Sequence, residues 1–355
     1  MAVRTRILHL VPMDALGGVE TAARSAAEAD GLACDFTLMF MAGRSMATRR
    51  DRIIDHPGRR HNSPLAYLAS VRDILRLRPD VLICSLWRSM LVGIIVKLLR
   101  PSTRLVCFLH STTWVHAADR LAHDVGMRLA DAIWADSAAT LRTRASALDR
   151  PTRIISFVTR HRNAVPHERP QPRFVGWGRL HEQKGIDRSL QVIAALVASG
   201  IDARMEIWGE DHGALPELRE LARRLGIADH VAFPGTATQA DLPGLARGHA
   251  FFLQLSRVEG MGMSVVEAMQ LGLVPVVTAV GQVADYVEDG RNGIIADPAT
   301  PEATAAALAA LLGDPARYRA MAQAAVQTWR TVRLYADDVC DAGMALAQLP
   351  AGTHR

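Results

Sequence analysis

Two glutamates, Glu259 and Glu267, lie in the run EGMGMSVVEAMQLGLVPVV, which joins a carboxylate, a glycine-containing loop, a helix start and an apolar stretch. A loop feeding a helix N-terminus presents unpaired backbone amides, and the helix dipole favours an anion there. Gly260 and Gly262 allow close backbone approach to a ligand. The pattern places Glu259 in the loop and Glu267 in the first helical turn. Two carboxylates beside an anion site suit a ligand carrying both hydroxyls and phosphate, such as a sugar nucleotide. The same residues also fit a purely local role, because Ser264-Val-Val-Glu267 has the spacing of a capping box. The strand-like Leu273–Thr278 and the loop opened by Gly281 lead back to the sheet edge where α/β proteins bind ligands.

Three further sets of residues could do chemistry. In FVGWGRLHEQKGID, Arg179 and Lys184 flank the loop between a strand and a helix that starts near Gly185. A forked guanidinium and a mobile ammonium fit a diphosphate that must be held and then released. His110 closes the strand LVCFLH and stands at a sheet edge, where a neutral imidazole or its carbonyl can meet a sugar hydroxyl. A structural histidine is the plainer alternative. Trp114, His116 and residues 111–113 lie alongside as a candidate acceptor pocket. Gly17 and Gly18 precede the first helix in HLVPMDALGGVETAA, so their amides could approach a phosphate or sugar. G-x-G-x-x-G is missing there, which weighs against NAD. D-x-D, H-E-x-x-H, G-x-S-x-G and the P-loop pattern are also absent. No metal is expected, since Arg179 and Lys184 could supply the positive charge that a metal ion would otherwise bring.

The elements that must position these residues alternate along the chain. In the first half, strand-like Ile7–Val11, Phe36–Phe40, Val81–Leu86, Leu105–Leu109, Ala132–Ala135 and Arg153–Phe157 alternate with helix-like Val19–Ala29, Pro64–Leu77, Met90–Leu99, Ala117–Leu129 and Ala138–Leu148. The alternation predicts right-handed βαβ units around a parallel sheet. The proline- and charge-rich segment 158–172 reads as a linker. Beyond it the pattern restarts and ends in a nearly all-helical stretch, Pro315–Leu349. Two Rossmann-like doubly wound α/β domains are expected, 1–165 and 166–330, facing across a cleft that the motifs line. Residues 331–355 continue this helical stretch.

Composition agrees with a two-domain globular chain: 355 residues, 49% of them hydrophobic. The four cysteines, Cys34, Cys84, Cys107 and Cys340, fit no zinc spacing and read as reduced thiols of a cytoplasmic protein. No signal-peptide h-region is apparent, and Arg88 and Lys97 interrupt the longest apolar stretch, so no membrane span is expected. Residues 1–165 carry 24 Lys+Arg against 14 Asp+Glu, and residues 166–355 carry 17 against 22. The basic half points to an anionic membrane surface or a phosphorylated acceptor. With 5% aromatics and no binding motif, nucleic acid is not expected.

GGVET, His110, GRLHEQKGID, EGMGMSVVEAM and LVPVVTAVGQVADYVEDGRNGII together resemble family-4 glycosyltransferases of the GT-B fold, end to end and most specifically from Gly178 to Asp297. The resemblance implies a retaining, metal-independent enzyme using a UDP- or GDP-sugar. It places Arg179 and Lys184 on the donor diphosphate and Glu267 on the ribose hydroxyls. It places Glu259 against the transferred sugar, with the amides of Gly260, Met261, Gly262 and Met263 holding sugar and phosphate. His110 falls near the anomeric centre and the sugar O6, and Gly17 and Gly18 approach the diphosphate or acceptor. The resemblance also implies that the helix within residues 331–355 packs back on the first domain. The acceptor is expected to be a glycan or lipid-linked hydroxyl, in cell-surface polysaccharide or glycolipid synthesis. The usual Gly-Gly-x-Pro-Glu reads Gly281-Gln-Val-Ala-Asp285 here, and Pro-Asn-Gly-x-Asp is echoed only by Arg162-Asn163. A UDP-sugar epimerase or hydrolase of the same two-domain shape, or a non-catalytic sugar-nucleotide or glycan-binding protein, is the competing reading.

Overall fold

The computed structural model describes residues 4–15, 17–43, 52–56, 62–145, 148–162 and 164–350. The chain divides into two compact units, Met1–Arg160 with Arg333–Arg355, and His161–Val332. The first boundary falls five residues before the expected one, inside the proline- and charge-rich segment.

In the first unit the strands are β1 (Arg6–Asp14), β2 (Asp35–Gly43), β3 (Ile53–Ile54), β4 (Val81–Ser85), β5 (Arg104–Leu109), β6 (Ala132–Ala135) and β7 (Thr152–Ile154). The helices between them are α1 (Gly18–Glu28), α2 (Pro64–Leu77), α3 (Leu86–Leu99), α4 (Ala117–Leu129) and α5 (Ala138–Arg144). All strand pairs are parallel and run in the order β3-β2-β1-β4-β5-β6-β7. The strand order reverses between β1 and β4, so the loops after these strands open a crevice at their carboxyl ends. Strands such as Val81-Leu-Ile-Cys-Ser85 are buried at every position because helices cover both faces.

The second unit repeats the plan with strands β8 (Arg173–Trp177), β9 (Arg204–Trp208), β10 (Val231–Gly235), β11 (Phe251–Gln254), β12 (Val274–Val277) and β13 (Ile294–Ile295). Helices α6 (Ile186–Ala198), α7 (Leu215–Arg224), α8 (Leu242–Gly248), α9 (Met263–Gln270), α10 (Val283–Tyr286), α11 (Pro301–Leu312) and α12 (Pro315–Trp329) fill the gaps. The order is β10-β9-β8-β11-β12-β13, again parallel throughout. Its reversal lies between β8 and β11, the two strands whose following loops carry Arg179–Lys184 and Glu259–Gly262. Phe174, Leu190, Ile193, Phe251, Val276 and Leu308 are among the fully buried residues of its core.

The last helix, α13 (Tyr335–Gln348), belongs to the first unit. Gly343 lets it lie directly on β1, where any Cβ would overlap Ile7. Asp338 accepts from Arg153 Nη2 and the Ser156 amide, each at 2.9 Å, and the Tyr335 amide donates to the Val158 carbonyl at 2.7 Å. Here the cysteine expectation is corrected: Cys34 and Cys340 are joined by a disulfide across 306 residues, while Cys84 and Cys107 are free and buried. The folding-back of α13 brings together two residues that spacing along the chain could not pair. Among the described residues no helix is long and apolar enough to cross a membrane.

Candidate functional site

In the second unit, β8 delivers Gly178 and Arg179, and a single 3-10 turn, Glu182–Lys184, aims Lys184 back toward β11. Gly185 must be glycine, for its φ is 58° and a Cβ would overlap the Leu255 carbonyl. The Lys184 ammonium donates to Glu259 Oε1 at 2.8 Å. Gln254 Nε2 and Ser256 Oγ donate to the same oxygen at 3.0 and 2.7 Å, and Ser264 Oγ ties Gln254 Oε1 at 3.1 Å. Three donors converge on one oxygen of a carboxylate that is only 7% exposed. They hold it rigidly and leave Oε2 with no protein partner among the described residues. Arg179 is exposed and, among the described residues, makes no side-chain hydrogen bond or ion pair.

The loop before α9 is anchored through its carbonyls. Gln282 N donates to the Gly260 carbonyl at 2.9 Å, and Tyr286 Oη reaches the Met261 carbonyl at 2.8 Å and the Gly262 carbonyl at 3.3 Å. Burial, with the Glu259 charge nearby, pushes the Tyr286 phenol well above its usual range, so it remains a donor. Among the described residues the amides of Gly260, Met261, Gly262, Met263 and Ser264 have no acceptor. They form a row at the helix N-terminus, where the dipole favours an anion. Gly262 has φ 74° and caps the helix, and a Cβ there would lie 2.8 Å from Val283 Cγ2 and 2.9 Å from Tyr286 Oη.

Two details differ from the sequence reading. Ser264 is not the N-cap, since Gly262 is, with no side-chain cap bond, and the Ser264 hydroxyl turns to Gln254. Glu267 consequently lies in the second turn of α9. Its Oε2 accepts from Trp177 Nε1 at 3.1 Å and its Oε1 from Gln239 Nε2 at 2.6 Å. Arg162 Nη2 donates to Gln239 Oε1 at 2.7 Å and so braces that amide. Asn163 lies outside the described residues.

In the first unit, His110 follows β5 and its Nε2 is 2.8 Å from Ser85 Oγ at the end of β4. Burial, with His9 and His123 nearby, holds its imidazole well below the usual histidine range. Gly17 caps α1 and Gly18 begins it, but Glu20 folds back so closely that a Cβ on Gly17 would overlap its carboxylate. This helix N-terminus therefore already has an anion beside it. The 111–116 loop is held by Arg144, which donates to the Ser111 carbonyl at 2.9 Å and the Thr113 carbonyl at 2.7 Å and lies over the Trp114 ring at 3.1 Å. His116 is occupied as the cap of α4, its Nδ1 accepting from the Asp119 amide at 3.0 Å.

The fold thus brings Lys184, Glu259 and the 260–263 amides together, with Gln254, Ser256, Trp177, Gln239 and Tyr286 as partners that motif reading did not single out. A glutamine closing the otherwise apolar FFLQ was the available signal for Gln254. Trp177 and Tyr286 read as ordinary core residues.

The model of the glycosyl transferases group 1 family matches residues 158–328. The lipopolysaccharide core biosynthesis mannosyltransferase LpsB of Rhizobium meliloti is 30% identical over 275 residues, 70% of this chain and 76% of that protein. The chain belongs to the group 1 glycosyltransferases. Mannosylfructose-phosphate synthase of Agrobacterium fabrum is 34% identical over 128 residues, 34% of this chain and 28% of that protein. Several such relatives are matched over only 28% to 38% of their own length. Anabaena HepE, solved with UDP and glucose, has a TM-score of 0.80 at 18% identity and covers 97% of this chain and 100% of that one. The two parallel-sheet, Rossmann-like units are those of the GT-B fold.

Proposed function

We propose that the protein is a retaining glycosyltransferase that moves a hexose from a UDP- or GDP-sugar to a hydroxyl of a glycan or lipid-linked acceptor, without a metal ion. The observation that carries this reading is the row of unpartnered amides from Gly260 to Ser264 beside Lys184–Glu259. Amides and cations suit the donor phosphates, and the open Glu259 Oε2 suits a sugar hydroxyl. Glu267 is assigned to the ribose hydroxyls. His110 is assigned to the sugar, and Gly17 and Gly18 to close backbone approach rather than to phosphate, given the Glu20 carboxylate beside them. In the reaction the bond from the anomeric carbon to the diphosphate oxygen breaks and one to the acceptor oxygen forms. The acceptor proton passes to the leaving diphosphate, whose growing charge Arg179, Lys184 and the amides stabilise.

The lipid-linked alternative for the acceptor draws support from the basic first half of the chain. Exposed Leu65 and Leu68 on α2, close in sequence to Arg72 and Arg76, add apolar anchors. Peripheral contact with an anionic inner membrane face would then be lost at high salt.

Thermal shift against UDP, GDP, ADP and NAD tests the donor assignment, because a ligand at 100-fold over its Kd adds about 2.7 kcal/mol. Stabilisation by UDP or GDP that disappears in Lys184→Ala is the expected result. A response to NAD alone would overturn it. Donor consumption with and without acceptor then separates transfer from hydrolysis or epimerisation, and no turnover at all would leave a binding protein.

A further inference from the structure

Four side chains of the first unit form one hydrogen-bonded file. His110 Nε2 is 2.8 Å from Ser85 Oγ, Ser85 Oγ is 2.7 Å from His9 Nε2, and His9 Nδ1 is 3.1 Å from Tyr335 Oη. They come from the loop after β5, from β4, from β1 and from α13. Ser85, His9 and Tyr335 are all but fully buried. Phe108 and Phe157 pack against the His110 ring with centroids 4.4 and 5.4 Å away, and Phe157 stands 5.3 Å from Tyr335. Water has little access with which to reset the protons along this file.

Its direction follows from counting donors. Burial raises the Tyr335 phenol, so it keeps its proton, and among the described residues His9 Nδ1 is the acceptor within reach. A buried hydroxyl that did not donate there would leave its hydrogen stranded. With Nδ1 accepting, a neutral His9 carries its proton on Nε2. Burial pulls His9 down to about 3, so neutral is the state at working pH. His9 Nε2–H then donates to Ser85 Oγ, and the serine proton is left for His110 Nε2. His110, also neutral, must carry its own proton on Nδ1. That atom is buried and has no protein partner among the described residues. The file therefore ends in one unused N–H donor. Leu86, next to Ser85, holds a left-handed φ of 68° that a branched residue rarely adopts, as expected where the surroundings impose a turn.

We infer that Tyr335, His9 and Ser85 are positioning residues that lock His110 as its Nδ1–H tautomer, a neutral hydrogen-bond donor to an oxygen of the transferred sugar. The identity of the acceptor atom rests on the proposed function, whereas the tautomer does not.

NMR of the full chain labelled with 15N-histidine reads the tautomer directly, with the His110 signal assigned by its loss in His110→Gln. The expected result is a proton on Nδ1. Tyr335→Phe keeps the ring and its packing but removes the donor at the head of the file, so His9 can reverse. The His110 signal should then move toward Nε2–H. At the same time kcat/KM should fall by about tenfold, the value of one neutral hydrogen bond, while UDP or GDP affinity is unchanged. Ser85→Thr, which retains a hydroxyl, should preserve the tautomer where Ser85→Ala loses it. A wild-type His110 protonated on Nε2, or a Tyr335→Phe spectrum identical to wild type, would overturn the file. A correct tautomer with transfer unaffected in both His110→Gln and Tyr335→Phe would overturn the sugar contact. Absence of nucleotide binding in the wild type would instead remove the glycosyltransferase reading and leave the tautomer standing.

Discussion

Lys184 and Glu259 depend on each other, because each is largely shielded from water and each supplies the other's counter-charge. Lys184→Ala removes a cation while leaving the carboxylate with two neutral donors. It should destabilise the second unit by about 2 kcal/mol, less than a fully buried pair would cost since the ammonium retains some water. Urea unfolding measures that cost, and donor kinetics should show a larger loss than stability explains. A variant with normal kcat and KM would contradict the diphosphate assignment. Asp136 offers a separate check of local electrostatics. It accepts from Thr140 Oγ1 at 3.0 Å, yet burial pushes its carboxyl up to about 6. A raised carboxyl contributes stability below about pH 3.8 and loses it as pH rises through about 6. His9 has the opposite sense, its contribution being lost as pH falls from about 6.5 toward about 3, so the two oppose each other in a whole-chain acid titration. The difference between wild type and Asp136→Asn isolates the carboxyl. That difference should decline by about 1.4 kcal/mol per pH unit between about pH 4 and 6 and be flat above. A difference that does not change over this range would rule out the raised value.

Among the elements, the 259–263 loop and α9 act together because carbonyls are tied and amides are left open. Gly262 is where this depends most on residue type. Alanine there would adopt a left-handed φ and press on Val283 and Tyr286. Gly262→Ala should cost about 2–3 kcal/mol, combining the left-handed penalty with the close contacts. The donor KM should rise more than kcat falls, since the amides are displaced while Lys184 stays. Unchanged melting and unchanged KM would mean that the loop does not hold the ligand. The departure at Gly281-Gln-Val-Ala-Asp285 leaves this arrangement intact: Gly281 still lies against the Glu259 and Gly260 carbonyls, where a Cβ would not fit, and the Gln282 amide still anchors Gly260.

At the scale of the whole molecule, the Cys34–Cys340 bond fastens α13 to the first unit, which it completes by covering β1 and supplying Tyr335. Reduction, or Cys340→Ser, should lower the stability of that unit by about 2–4 kcal/mol, the usual range for a native disulfide. The second unit should be unaffected. Thermal unfolding with and without reductant, together with hydrogen exchange in α13, reads this directly. Identical melting in both conditions would show that packing alone holds the helix. With this pair removed, the cysteine argument for reducing surroundings rests on Cys84 and Cys107 alone.

Period and punctuation made the two parallel sheets and the residue content of the 178–185 and 259–263 loops legible along the chain. A short apolar run such as Val81–Ser85 set between helical segments fits a strand covered on both sides, and Pro64–Leu77, Ala117–Leu129 and Ala132–Ala135 fall where the pattern places them. Glycine spacing likewise marked the backbone positions beside Lys184 and Glu259, because few other residues can occupy them. Pairing across long separations was not legible. Glu267 meeting Trp177 and Gln239, Cys34 meeting Cys340, and the His110–Ser85–His9–Tyr335 file each join residues that local periodicity treats as unrelated. Their contacts exist because strand order and the return of α13 bring distant segments to one place, and burial there makes each unmatched hydrogen costly.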